Sequence, residues 1–164
     1  MIAQGVLGFQ YQPEARATGM TALAGLPAYL DLFEAMGLRR SIGRHVEVRG
    51  EGQGWSDAQL VSALVLLKLA GGKLPSWNLG ANAAWWAVMI LSFNLHSAMK
   101  RLVLGGDWKT KRLKAIRFAL IHLPGRVIRH ARGLLIRLPG NHPAFDVLLD
   151  ARRTILALAQ APPA

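Results

Sequence analysis

The chain contains no cysteine and few acidic side chains. Its 164 residues include 20 Lys and Arg but only 9 Asp and Glu, which gives a formal net charge of +11. The absence of cysteine excludes disulfides, thiolate metal sites and cysteine nucleophiles. The N-terminus also lacks a basic segment followed by an apolar core, so we expect no secretory signal and a cytoplasmic location.

The shortage of acidic side chains is concentrated in the second half of the chain. Residues 1–75 hold seven basic and six acidic side chains, whereas residues 76–164 hold thirteen basic and three acidic ones. Asp107 is the single acid between Lys100 and Arg137. We therefore predict two regions, 1–72 and 73–164, and expect the second, basic region to hold a polyanion.

Long uncharged apolar runs are also scarce. The run Ala81–Leu95 is shorter than the roughly 20 residues that a membrane-spanning helix needs. Extending this run toward Leu104 brings in Lys100 and Arg101. A buried helix of a soluble domain is therefore favoured. A peripheral membrane helix remains the alternative, because a basic flank suits anionic lipid.

Apolar residues at helical spacing predict a mainly α fold. Pro27 suits the start of a helix that Gly37 would end. Ser56 and Gln59 have the spacing of a capping box at the start of the next helix. A last helix is predicted over about 144–158.

The centre of the chain combines helices with one ambiguous segment. A helix from about Ala81 to Leu104 is apolar nearly all round over its first turns, so burial is expected there. Asp107 is predicted to cap a further helix that runs through Leu123. Residues 126–138 fit either a helix or two short strands, and Gly133 favours the β-hairpin.

Known catalytic patterns are not complete in this sequence. Gly71-Gly72-Lys73 lacks both the first glycine and the following Ser or Thr of a phosphate-binding loop. The histidines show no i, i+4 pairing with a carboxylate, so no zinc site is predicted. Each histidine is expected to lie at the surface or to contact phosphate: His45, His96, His122, His130 and His142.

Two pairs of acidic side chains share a helix face. Asp31 and Glu34 form one pair, and Asp146 and Asp150 form the other. Such pairs are usually solvated, and Asp150 has the spacing to pair with Arg153. Neither pair is predicted to bind a catalytic metal.

Several segments of the second region form a recognisable series. They are Asn82-Ala83-Ala84-Trp85-Trp86, Lys100-Arg101-Leu102, Arg112-Leu113-Lys114, Val127–Arg132 and Leu138-Pro139. This series resembles the C-terminal part of DDE-type transposases from bacterial insertion sequences. Gly25-Leu26-Pro27 and Leu69-Ala70-Gly71-Gly72 resemble the N-terminal helical region of the same family.

The resemblance leaves out the catalytic centre. Family members carry an RNase-H-like core between these two parts, with three carboxylates that hold two magnesium ions. Here the two parts are joined near residues 70–75. In the family, a glutamate lies shortly before the loop that corresponds to Pro75-Ser76, but this chain has no acidic residue at that position. The resemblance thus implies a helical remnant of an RNase-H-like transposase, with no catalytic residue and no bound cofactor.

The resemblance also implies a DNA-facing surface that contacts phosphate and does not read sequence. The expected DNA-binding residues are Lys100, Arg101, Lys109, Lys111, Arg112, Lys114, Arg117, Arg126, Arg129, Arg132 and Arg137. DNA is the expected partner, with a second copy of the chain or intact transposase as further partners. The alternatives are a regulatory inhibitor of intact transposase and a peripheral membrane-associated protein.

Loss of the core should also leave apolar side chains uncovered. The residues expected to be partly exposed are Trp77, Trp85, Trp86, Met89 and Phe93. Marginal stability or self-association is the predicted consequence.

Overall fold

The computed structural model describes residues 5–15, 19–47, 54–72, 79–130 and 133–161, which are mainly helical with one small sheet. The helices are α1 (Leu26–Ala35), α2 (Leu38–His45), α3 (Asp57–Leu69), α4 (Leu79–Ala98), α5 (Leu113–Ile116) and α6 (Ala144–Gln160). The strands are β1 (Phe9–Glu14), β2 (Arg126–His130) and β3 (Gly133–Pro139).

The sheet joins the two ends of the chain. β2 and β3 form an antiparallel hairpin, which confirms the preference for strands over a helix at residues 126–138. β1 pairs in parallel with the other edge of β3, so the strand order is β1-β3-β2. A strand from the first predicted region is therefore hydrogen-bonded to a strand from the second.

Local signals near α1 and α3 are confirmed. Gly37 follows α1 with a φ of 66°, a left-handed conformation that glycine adopts without strain. Ser56 and Gln59 form the predicted capping box, in which each side chain bonds the backbone N–H of the other residue. These ends are set by a few neighbouring residues, which is why sequence alone located them.

The prediction that α4 is buried over its first turns is wrong for one of its faces. Val88, Leu95 and Met99 are buried, but Trp86 and Phe93 are 63% and 58% exposed. The predicted partial exposure is thus found for Trp86 and Phe93, which are exposed, and for Trp85 and Met89, which are half-buried. Trp77 lies outside the described residues. α1 and α3 cover one side of α4, and no described segment covers the other.

By length and composition alone, one described helix could cross a membrane. It is the stretch Ala81–Leu104, which comprises most of α4 and its π-helical continuation Met99–Leu104. Of its apolar window, 28% is buried. The helix is therefore less buried than a core helix and more buried than a fully exposed helix.

The predicted helix capped by Asp107 is wrong. Gly105 and Gly106 have φ values of 61° and 42°, and they turn the chain into a single 3₁₀ turn, Gly106–Lys109. α5 begins only at Leu113 and continues as a π-helical turn to Ile121. Two consecutive left-handed residues break the helical path, so the Asp107 side chain does not cap a helix.

Two clusters of buried side chains form the core, and both draw on the first and second predicted regions. One cluster lies between the sheet, α5 and α6 and includes Tyr11 and Ile136. The other lies between α1, α3, α4 and α6 and includes Leu32, Val65 and Leu95. The two regions therefore share their core.

Replacing Gly43 with alanine should stabilise the fold by about 0.5–1 kcal/mol, because Gly43 lies inside α2 and alanine loses less conformational freedom there. A Cβ at this position would have the Ala58 Cβ as its nearest neighbour, at 3.9 Å, so there is room. Urea unfolding would measure the change. Gly37→Ala is the matched control, since its left-handed backbone should make the same substitution destabilising.

Candidate nucleic-acid interface

The basic side chains that follow α4 lie around one turn of the chain. We call Lys100, Arg101, Lys109, Lys111, Arg112 and Lys114 the basic corner. Lys100 is half-buried and the other five are exposed. Within the described residues none of the six forms an ion pair, and Asp107 is the sole acid between residues 100 and 114. The corner is therefore a solvated surface of high positive charge.

The glycine turn shapes the basic corner. Gly105 and Gly106 connect the π-helical end of α4 to the 3₁₀ turn, and these two basic segments contact each other. Trp108 packs partly against the core, and the Lys111 Nζ lies 3.8 Å from the centroid of its ring. This cation–π contact orients Lys111 without neutralising it. The sequence around Trp108 does not predict this role.

Arg117 has an internal role that its sequence position does not reveal. Its Nε donates a hydrogen bond of 2.9 Å to the carbonyl of Leu69, the last residue of α3. The ring of His122 bonds the next carbonyl, that of Ala70, at 2.9 Å. These two side chains satisfy carbonyls that the end of a helix leaves unpaired. Arg117 thus anchors α3 and does not belong to the basic corner.

Arg126 and Arg137 also have an internal partner. They lie directly opposite each other on β2 and β3, where two like charges repel. The Glu14 carboxylate at the end of β1 lies 2.8 Å from Arg126 and 3.7 Å from Arg137. Glu14 is almost buried, so this acid neutralises much of the paired positive charge.

Two predicted DNA-binding residues remain, Arg129 and Arg132. Arg129 on β2 is exposed, opposite Leu134 of β3. Arg132 lies outside the described residues. The candidate interface is therefore the basic corner, with Arg129 as a further exposed cation.

A buried ion pair holds the two ends of the chain together. Asp31 of α1 and Arg152 of α6 are both fully buried, and the Arg152 Nε lies 3.1 Å from the Asp31 carboxylate. Arg152 also donates to the carbonyls of Phe9 and Leu7 at 2.6 and 2.8 Å. The expectation that Asp31 is solvated is wrong, because its partner lies 121 residues away. The Asp150–Arg153 pair is confirmed at 2.8 Å.

The position of Arg152 within α6 is the one sequence feature that indicates its burial. It lies one helical turn from Leu148 and from Ile155, on the apolar face of α6. An arginine at such a position is buried only when its donors are matched by acceptors. The Asp31–Arg152 ion pair is tightly packed against Gly5, because a Cβ at Gly5 would collide with both side chains.

The carboxylates of the described residues do not fit a two-magnesium centre. No group of three His, Asp or Glu side chains in the described ranges is close enough to hold a metal ion. Asp31, Glu14 and Glu34 are each engaged by arginine, and Glu14 lies on β1 whereas Asp31 and Glu34 lie on α1. We therefore derive no metal-dependent step.

His96 does not lie at the surface, so that expectation is wrong for this residue. It is 3% exposed on α4, and its Nδ1 lies 2.9 Å from the Tyr29 hydroxyl. The ring stacks on that of Tyr29 with centroids 5.7 Å apart. Burial lowers the pKa of His96 to about 4, and the charges of Lys100 and Arg117 act in the same direction. His96 is therefore neutral at pH 7.

The other histidines have local roles. His45 is exposed and bonds the carbonyl of Ser41 at 2.8 Å. The Nδ1 of His142 accepts a hydrogen bond from the backbone of Ala144 at the start of α6. The side chain of His130 lies outside the described part of the chain.

The fold should lose stability on mild acidification. The unfolded chain protonates His96 near pH 6.5, but the folded chain keeps it neutral to about pH 4. The unfolded state therefore binds more protons between these values, and the free energy of unfolding should fall by about 2 kcal/mol from pH 7 to pH 5. Urea unfolding at both pH values would measure this fall.

A matched pair of variants assigns the pH effect. His96→Gln should flatten the dependence between pH 7 and pH 5. His45→Gln, which changes an exposed histidine, should retain it. Equal pH dependence in wild type and His96→Gln would contradict the assignment.

Comparison with known proteins adds no family to these observations. No protein-family model matches the chain, and no curated protein or solved structure matches it significantly. The candidate interface is therefore argued from its own geometry and charge.

Proposed function

We propose that this chain is a DNA-binding remnant of an insertion-sequence transposase and has no catalytic centre of its own. The observation that carries this proposal is the basic corner, where six cations free of ion pairs in the described residues accompany a single acid between residues 100 and 114. Side chains of this kind bind phosphate by releasing condensed counterions. In this proposal the small sheet and its helices are what remains of an RNase-H-like transposase.

The chemistry of the corner favours phosphate over base recognition. Lysine supplies a mobile point charge, and four of the six cations are lysines: Lys100, Lys109, Lys111 and Lys114. The corner lies on a turn and on helix ends, so it presents no long recognition helix for the major groove. We therefore expect strong dependence on salt and little dependence on DNA sequence.

The salt dependence of DNA affinity tests the proposal. Six phosphate contacts should give a slope of about −5 in a plot of log affinity against log salt concentration. Fluorescence anisotropy with two unrelated duplexes of about 20 base pairs would give the slope and the sequence preference together. A slope near zero would contradict DNA binding, and a large preference for one duplex would contradict phosphate-only contact.

The catalytic half of the proposal has its own test. Incubation with oligonucleotides and Mg²⁺ or Mn²⁺ should leave every strand intact, because no described carboxylates fit the metal centre. Nicked or joined products would overturn this half and leave DNA binding standing.

The exposed face of α4 favours a second candidate function, association with a membrane surface. Trp86, Ile90 and Phe93 form an apolar stripe at helical spacing. A stripe of this kind beside basic side chains also suits anionic lipid. Flotation with phosphatidylserine vesicles distinguishes the two functions, since the DNA-binding proposal predicts that the chain stays with added duplex and does not float.

A further inference from the structure

A cavity lies between α3, α4 and α5, and its lining includes Arg117 but no residue of the basic corner. Its volume is about 140 Å³, and it is partly open to solvent. The apolar part of its wall comes from all three helices and the π-helical turn after α5: Leu69, Met89, Phe93, Leu113 and Ile121. A cavity of about 150 Å³ with similar walls accommodates one benzene ring in another protein. The chamber therefore has the size and surface for a single aromatic ring.

The charged groups at the cavity are all basic. Lys68 and Arg117 line it, and no acid does so in the described residues. The Lys68 Nζ lies 5.2 Å from the centroid of the Trp85 ring, and within the described ranges it forms no ion pair. The Arg117 Nε is occupied by the Leu69 carbonyl, but neither of its Nη groups has a described hydrogen-bond partner. Both cations thus have donors left for an anion.

His96 adds a neutral donor to the same wall. Burial raises the pKa of Tyr29 above its usual range, so its hydroxyl keeps its proton and can donate it in the hydrogen bond with the Nδ1 of His96. The proton of the neutral ring is then on Nε2, which is buried and has no partner in the described residues. A buried N–H without an acceptor is costly, and a ligand oxygen would satisfy it.

We propose that this cavity binds a small carboxylate with one aromatic ring. The ring occupies the apolar chamber between Met89, Phe93 and Ile121, and the carboxylate meets Lys68 and Arg117. This site goes beyond the proposed DNA binding and does not rest on it, because no residue of the basic corner lines the cavity.

Four probes of related shape test the inference by chemical-shift perturbation in ¹H–¹⁵N spectra. They are benzoate, benzyl alcohol, benzylamine and acetate. Benzoate should shift amides at Leu69, Met89 and Leu113 and should bind about tenfold more tightly than benzyl alcohol, since a hydrogen bond to a charged group is the stronger kind. Benzylamine and acetate should bind weakly, because one has the wrong charge and the other lacks a ring.

Two variants separate the two halves of the site. Lys68→Gln should weaken benzoate binding about fivefold and leave benzyl alcohol unchanged. Leu113→Trp, at a half-open part of the wall, should weaken both probes by filling the chamber. Arg40→Gln, at an exposed position of α2 outside both proposed sites, is the control for net charge and should change neither.

Three outcomes would overturn the proposal. Equal affinity for benzoate, benzyl alcohol and benzylamine would show that charge plays no part. Equal affinity for benzoate and acetate would show that the chamber plays no part. Shifts confined to the basic corner would place the anion there, and the absence of any shift would show that the cavity does not bind it. DNA binding can hold or fail in each case, so the two proposals are tested separately.

Discussion

Replacing Arg152 with methionine should lower the free energy of unfolding by about 3–5 kcal/mol. The Asp31 carboxylate would stay fully buried without its cation, and the carbonyls of Leu7 and Phe9 would lose their donors. A domain of this size is typically stable by about 5–15 kcal/mol, so this loss is a large fraction of the total stability. Urea titration followed by circular dichroism would measure the loss.

Arg153→Met is the matched control for this experiment. Arg153 follows Arg152 on α6, but its side chain is 69% exposed and its pair with Asp150 is solvated. Such pairs contribute about 0–1 kcal/mol. Similar losses in the two variants would contradict the role of the buried pair. The double variant Asp31→Asn/Arg152→Met should lose less than the sum of the single variants, because each single change leaves a partner unmatched.

Neutralising three lysines of the basic corner should have the largest effect on DNA binding. The triple variant Lys109→Gln/Lys111→Gln/Lys114→Gln should lose about 100-fold in affinity at about 0.15 M salt, because each lost phosphate contact removes one released counterion. Its salt slope should fall in magnitude by about three. Fluorescence anisotropy at several salt concentrations gives both quantities.

The control variant removes the same charge from other surfaces. Arg40 and Arg44 are exposed on α2 and Arg153 is exposed on α6, outside the basic corner. The triple variant Arg40→Gln/Arg44→Gln/Arg153→Gln should keep the slope, although a small general loss of affinity follows from the lower net charge. Equal changes in the two triple variants would show that DNA is held by overall charge and not by the corner.

Sequence reasoning succeeded where neighbours along the chain decide the structure. The Ser56 capping box, the Gly37 helix end and the hairpin at residues 126–138 all depend on residues a few positions apart. It failed at Asp107, where a good capping residue follows two glycines whose left-handed conformation leads into a 3₁₀ turn. It also failed on one face of α4, since an apolar helix is buried only where another element covers it.

The candidate site shows the same division. Charge in the sequence identified all six cations of the basic corner, because solvated residues need no distant partner. Charge alone could not distinguish these six cations from Arg117, Arg126 and Arg137. Arg117 bonds Leu69, and Arg126 and Arg137 pair with Glu14, all of which are distant in the chain. The cavity at His96 gave no sequence signal, since its wall is assembled from three helices.

By itself the amino-acid sequence determined the excess of positive charge after residue 76, the mainly helical character and the positions of the local caps. Only the tertiary structure decided which cations remain available to a polyanion and which are neutralised inside the fold. It also decided that Asp31 and Arg152 meet across 121 residues. The physical reason is that burial and Coulomb pairing depend on distance in space, whereas propensity and capping depend on distance along the chain.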